Sequence, residues 1–314
     1  MMRDAALSEQ AAQELEDLLS NPHAISPTPP RDLAPRTYPT ATPTIARPGL
    51  GCIPSLKDVR DYRFGRLTAS SSLPADKDLR PLLFDVWDQG SEGSCTAHGV
   101  GAAFRQARRL KYGWTNHYGA GLSIRIGVME DYTPNFSQLY YDARALEGTS
   151  SVDAGASVRD AIRVLNINGA AAWHNTPRYV PGNFTQPPDP TTVANASHHE
   201  VIHYEAVDLT NPAAIKSAIV LGLPVVFGMT WYQSAFGIGP DGLMPTPGGP
   251  GDSVAGGHCI DIVGYDDQKF GGVVVVRNSW GAGWGDHGHF YMPYQLITNA
   301  SLTGDAWIVE AITR

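Results

Sequence analysis

The chain of 314 residues predicts an α+β fold, and three observations carry that prediction. Up to about Tyr204, apolar residues recur at the three-and-four spacing of helices. After Pro224 the pattern changes to short β-branched or aromatic runs separated by Gly, Pro and Asp, which reads as an antiparallel sheet or small barrel. With 42% hydrophobic and 17% charged residues, the composition supports a packed core. Helices first and strands later is an arrangement with a natural cleft between two layers.

Taken in order, the first element is a short amphipathic helix from Asp4 to Ser20, where Leu7, Ala11, Leu15 and Leu18 form a stripe. Between Pro22 and Pro48 proline is too frequent for helix or central strand, so this stretch is extended chain, read either as a linker or as an inhibitory segment laid along a cleft. The catalytic unit begins near Cys52 to Phe64 or a little after. Beyond Cys95, the positions Ala97, Val100, Ala103, Phe104, Ala107 and Leu110 predict a helix with a basic last turn, which places Cys95 at its N-terminus. Further helices are predicted at Ser137 to Leu146, Ser157 to Leu165 and Pro212 to Leu221. Strands are predicted at Val225 to Phe227, Cys259 to Tyr265, Val273 to Val276, His289 to Met292 and Ala306 to Ile312. The resulting organisation is a Pro-rich N-terminal extension over 1–65, a mainly helical subdomain over 66–205 and a β-rich subdomain over 206–314.

Composition excludes several classes. A net charge of −8 offers no cationic field for nucleic acid or for an anionic membrane surface. No apolar run is long enough to span a bilayer. Three cysteines, Cys52, Cys95 and Cys259, cannot make a disulfide framework. Residues Met1 to Gln10 are acidic and polar where a signal peptide needs an apolar core, so the expected location is cytoplasmic by default, with a signal-independent export route left open. The triplets at Asn135, Asn183, Asn195 and Asn299 then read as chance matches to the glycosylation pattern. The histidines lack partners at metal-binding spacing: His198 and His199 are adjacent, and His287 and His289 flank a glycine turn. Gly283 to Gly288 satisfies Gly-x-Gly-x-x-Gly, but His289 to Met292 reads as a strand where a dinucleotide fingerprint needs a helix. Neither metal nor organic cofactor is expected.

The chemistry concentrates in three blocks. Gln89-Gly90-Ser91-Glu92-Gly93-Ser94-Cys95 sets an amide donor and a tight loop before a cysteine at a helix N-terminus, whose unpaired amides favour a thiolate. Gly257-His258-Cys259 opens an alternating strand, and Asn278-Ser279-Trp280-Gly281 closes the next one. If the two strands are antiparallel neighbours, an asparagine carbonyl fixes the imidazole tautomer and leaves the other ring nitrogen for the thiol.

These blocks resemble the papain family of cysteine peptidases over about residues 85–294. The resemblance implies a papain-like fold, with the cleft between a helical and a barrel-like β subdomain. It implies Cys95 as nucleophile, His258 as base then acid, Asn278 as orienter, and Gln89 as an oxyanion donor beside the Cys95 amide. Trp280 would shield the His258 and Asn278 pair, and Gly155, Ala156 and Gly257 would meet substrate along with Trp280; Trp173 is a further candidate for a pocket wall. The expected function is a cysteine endopeptidase that cleaves peptide or protein substrates through a thioester. The alternatives are a latent or partner-binding protein of the same fold and a thiol transacylase.

Two departures from the family pattern matter. Glu92 stands where secreted members carry a disulfide cysteine, and Thr96 replaces the usual aromatic after the nucleophile, which predicts looser packing behind the loop. The short Pro-rich start and Ser55-Leu56-x-Asp58-x-Arg60-Asp61-Tyr62 resemble the bacterial branch that includes xylellain. Cys259 is expected to pack as a small hydrophobe behind His258. Cys52 is expected to be a loop thiol, with a redox latch as the alternative.

Overall fold

A computed structural model describes residues 48–55, 58, 61–66, 73–83, 86–112, 132–173 and 179–312. The helix predicted at Asp4 to Ser20 and all but the last residue of the Pro-rich stretch lie outside these. The chain divides into two compact units, and every element below belongs to the one made of Ala46–Lys111 and Tyr132–Arg314, save the final residue of the first helix.

The β elements are β1 (Cys52–Ile53), β2 (Asp76–Asp78), β3 (Ala156–Ser157), β4 (Val201–Ala206), β5 (Val225–Tyr232), β6 (Val254–Asp266), β7 (Val273–Arg277), β8 (His289–Pro293) and β9 (Thr303–Ile312). The helices are α1 (Cys95–Tyr112), α2 (Phe136–Leu146), α3 (Val158–Ile167), α4 (Pro190–Ala196), α5 (Pro212–Val220) and α6 (Tyr294–Ile297). Seven strands form one antiparallel sheet in the order β4-β9-β5-β6-β7-β8, with β2 pairing β6, while β1 and β3 form a small parallel pair of their own. The architecture is therefore α+β, a helical part against an antiparallel sheet.

The sheet's core joins Trp231, Phe227, Ile262, Val276 and Phe290 to the apolar face of α5, where Ala214, Ile215, Ala218 and Ile219 are buried. Local signals define most helix starts. Asn135, Ser157, Asp189 and Asn211 each cap a helix by accepting a first-turn amide, and α4 and α5 begin with proline, whose missing N–H costs nothing there.

Helix α1 departs from the amphipathic reading, because every residue from Cys95 to Arg108 is buried. A helix covered on all sides lies inside the fold rather than on it. Two glycines one residue apart permit this. A Cβ on Gly99 would lie 3.0 Å from the Cys259 sulfur and 3.2 Å from Val226, and one on Gly101 would lie 2.9 Å from the Phe136 ring. The sheet thus closes on α1 at Gly99 and α2 closes on it at Gly101. Thr96 is fully buried, and its hydroxyl has no hydrogen-bond partner among the described residues.

Candidate active site

The loop before α1 is a run of close backbone turns, with Gly90 at φ +66°. Two carboxylates, buried Glu92 and exposed Asp153, hold it in place of a disulfide. Glu92 accepts from Gly182 N at 2.8 Å and from the Tyr179 hydroxyl at 3.1 Å. Asp153 accepts the Gly93 amide on both oxygens at 3.1 Å and also takes the Tyr140 hydroxyl. Burial raises the Glu92 pKa, partly offset by the Gly182 and Tyr179 hydrogen bonds.

Strand pairing supplies the other half of the site. β6 and β7 are antiparallel neighbours with Asp261 opposite Arg277, which brings His258 beside the residue that follows β7; β6 begins at Val254, four residues earlier than the strand opening expected at His258. His258 Nε2 and Asn278 Oδ1 are 2.8 Å apart, and both side chains are buried. Asn278 Oδ1 also accepts the Ser279 backbone amide at 2.8 Å. A backbone N–H can only donate, so that contact fixes the orientation of the side-chain amide, and His258 must donate to it from Nε2. The neutral ring then carries its lone pair on Nδ1, which has no hydrogen-bond partner among the described residues. Trp280 stacks on the His258 ring at 4.8 Å, and Trp231 meets that ring edge-on at 5.0 Å.

Cys95 is fully buried as the first residue of α1. Burial first, and then the nearby Cys52 thiol, push its pKa well above the ordinary thiol range; the backbone amides of Cys259, Gly51 and Thr96 oppose the rise. Burial likewise lowers His258 to about 4 against the support of its Asn278 hydrogen bond. In this arrangement both the thiol and the imidazole are neutral.

Residues 48–53 explain the burial. Gly49 N donates to Gly90 O at 2.9 Å, Gly51 N to Gly257 O at 3.0 Å, and Ala156 N to Gly51 O at 2.8 Å. The segment therefore runs between the Gln89 to Gly93 loop and Ala156 on one side and Gly257 on the other. The fit is close at the backbone, since a Cβ on Gly51 would lie 2.0 Å from Gly93 O and one on Gly155 would lie 2.1 Å from Gly51 O.

The Gln89 side chain is also fixed. Its Nε2 donates to Glu92 O at 2.8 Å and Gly49 O at 3.1 Å, and its Oε1 accepts the Ser279 hydroxyl at 2.5 Å. A carbonyl of the cleft segment thus occupies the amide expected to serve an oxyanion. Cys95, Gln89, His258, Asn278, Trp280, Gly155, Ala156 and Gly257 come together around one groove. Trp173 is half-buried, with its amide on Thr133 O.

Behind the site, His98, Asp261 and Arg277 are buried between α1 and the sheet, with Arg277 4.7 Å over the Trp87 ring. Sequence reading missed this layer. Its only signal was charged and polar residues at core positions of the predicted helix and strand.

The other motifs resolve without further chemistry. Gly283 to Gly288 leads into β8, so no dinucleotide helix follows it. His198 and His199 lie in the turn after α4, and His199 Nδ1 is 3.0 Å from Arg108. His203, Glu205 and Glu310 could meet a cation, but Arg66 already pairs with both carboxylates. No helix of the described residues is long and apolar enough to cross a membrane.

Comparison with known proteins agrees with this architecture. A family profile, "Papain family cysteine protease", matches residues 154–306. The crystal structure of xylellain, a cysteine protease from Xylella fastidiosa, superposes with a TM-score of 0.72 at 30% identity, covering 84% of this chain and 96% of that one. The uncharacterized peptidase C1-like protein L477 of Acanthamoeba polyphaga mimivirus is 28% identical over 300 residues, 87% of this chain and 89% of the relative. The cathepsin B-like CP3 of Giardia intestinalis is 36% identical over 211 residues, 66% of this chain and 63% of the relative. With a His on β6 bonded to the Asn that follows β7, a cysteine opening a buried helix and a relative matched over nearly its whole length, the chain belongs to the papain family of cysteine proteases.

Proposed function

We propose that Cys95, His258, Asn278 and Gln89 form the catalytic set, and that residues 48–53 hold it latent. The carrying observation is the His258 tautomer, because Asn278 takes the Nε2 proton and leaves Nδ1 as the base for the Cys95 thiol. With the cleft open, the sulfur proton passes to Nδ1 and the thiolate attacks the peptide carbonyl. The developing oxyanion is met by Gln89 Nε2 and by the Cys95 N–H, which has no intrahelical acceptor at the first position of α1. His258 then gives its proton to the leaving amine, and a water activated by the same ring hydrolyses the thioester. Trp280 keeps water from the hydrogen bond that orients the ring.

Hydrolysis at Cys95 predicts that Cys95→Ala abolishes cleavage of a fluorogenic peptide and labelling by an epoxide thiol reagent. Retention of either would overturn the assignment.

Latency rests on the hydrogen bonds of the segment. It uses the backbone of Gly257 and Ala156 and the amide of Gln89, the groups a substrate strand would need, and β1 lies parallel to β3. Peptide substrates and residues 48–53 therefore compete for one groove. A full-length chain that cleaves the peptide as fast as a chain whose segment has been displaced would refute latency while leaving the catalytic set intact.

A further inference from the structure

We propose that Cys52 and Cys259 form a disulfide-forming pair that fastens the cleft segment beside His258, and that a low-molecular-weight disulfide such as glutathione disulfide closes it. The inference rests on the latency reading and adds a covalent control to it.

All three cysteines are reduced and buried, and they converge from three parts of the chain. Cys95 opens α1, Cys259 follows His258 on β6, and Cys52 is carried into the groove by β1. Gly228 on β5 is the direct cross-strand partner of Cys259, and side-chain positions so related are about 4.5–5.5 Å apart. The Cys52 sulfur lies only 3.0 Å from where a Cβ on Gly228 would sit, with Val158 and Gly304 O lining the same space. A side chain at 228 would fill that space; glycine leaves it for the sulfur, which is brought within hydrogen-bonding reach of the Cys259 thiol.

A bond requires the sulfurs to close to about 2.05 Å. β1 can make that adjustment, since it is two residues long and pairs only with the equally short β3. The large sheet need not repack.

Order of reaction follows from access. Cys52 is 9% exposed, whereas Cys259 is 1% and Cys95 0% exposed. The Cys52 thiol loses its proton and attacks one sulfur of the disulfide reagent, forming a mixed disulfide and releasing one thiol. The Cys259 thiol then loses its proton and attacks the Cys52 sulfur, forming the Cys52–Cys259 bond and releasing the second thiol. Two electrons and two protons leave the protein and appear in the reagent's two thiols. Thiol reductant reverses both steps. Cys95 is left a free thiol beneath the fastened segment, so reduction restores a competent nucleophile.

The test uses the full chain, treated with glutathione disulfide or with dithiothreitol, alkylated, digested and mapped by mass spectrometry. The same samples are timed for epoxide labelling at Cys95. The expected result is a Cys52–Cys259 link with Cys95 alkylated only after unfolding. Labelling should be at least tenfold slower in the oxidised chain and recover on reduction. Cys52→Ser should abolish the response to oxidant. A chain that gives no such link, or that links Cys52 to Cys95, overturns the proposal. So does a linked chain labelled as fast as the reduced one. The latency reading is scored separately, by whether reduced wild type labels more slowly than Gly51→Val.

Discussion

Replacing Gly51 with valine tests the segment's hold directly. The new Cβ would meet Gly93 O at 2.0 Å and Gly93 Cα at 2.7 Å, and both neighbours are backbone that cannot swing aside. The segment must therefore leave the groove at this point. It forfeits Gly51 N to Gly257 O, Ala156 N to Gly51 O, Gly49 N to Gly90 O and the Gln89 amide to Gly49 O. At about 0.5–1.5 kcal/mol net for each of these four bonds, the loss is about 2–6 kcal/mol before any burial of Leu50 or Cys52 is counted. With a factor of ten for every 1.4 kcal/mol, the middle of that range raises the open fraction by roughly 10²–10³. Hydrolysis of a fluorogenic peptide by the full chain should rise by that factor, up to the ceiling at which every molecule is open. The rate of epoxide labelling should rise in parallel. The thermal transition should fall as well, by roughly 2–4 °C for each kcal/mol lost, because the same bonds stabilise the closed form against unfolding. If peptide hydrolysis and labelling match wild type under reducing conditions, the segment does not limit access and the reasoning fails.

Other expectations follow from the same geometry. Burial lowers His258 to about 4 in the closed form, and opening returns it toward about 6.5. The open form therefore binds more protons between those values, so the closed form loses stability as pH falls from about 6.5 to 4, by up to about 3 kcal/mol. Epoxide labelling of wild type relative to Gly51→Val should accelerate on acidification, and a flat ratio would contradict it. Gln89→Ala should lower kcat by about 10²–10³ in the opened enzyme, and a change under threefold would show that its amide does not meet the oxyanion. Glu92→Ala leaves the Gly182 amide without its carboxylate acceptor, while Tyr179 keeps Gln89 O, and should cost about 1–3 kcal/mol in urea unfolding. Thr96→Val removes a buried hydroxyl with no partner among the described residues and should be neutral or stabilising by up to about 1 kcal/mol, read as a thermal shift.

The parts of the site that sequence made legible are those set by local rules. A helix beginning at Cys95 follows from apolar spacing, and the two strands that bring His258 beside Asn278 follow from their apolar runs, although β6 begins at Val254, four residues before His258. β4 escaped notice because Val201-Ile202-His203-Tyr204-Glu205-Ala206 mixes polar and apolar residues and gains its place by pairing with distant chain, chiefly β9 about a hundred residues away. α4 did carry a signal, an Asp189 cap followed by Pro190, but seven residues are too few for a periodic stripe. The extended composition before Pro48 suggested a chain suited to a groove. Which residues enter it depends on Gly49 and Gly51, whose missing side chains matter only against the backbone of a distant loop. The burial of Glu92 against Tyr179 and Gly182 joins residues about 90 apart, and no local pattern encodes that contact.

The glycines at 99 and 101 have a mechanical consequence. Helix α1 is clasped between the sheet and α2 at the separation its bare backbone allows, so it has no slack in either direction. Under the proposed latency, Cys95 sits on a fixed anvil, and admitting a substrate would require only the lifting of a six-residue strap, 48–53, from its face. The catalytic geometry proposed for the site would then already be in place when the strap departs, and activation would cost the hydrogen bonds of the strap rather than any rearrangement of the frame beneath it.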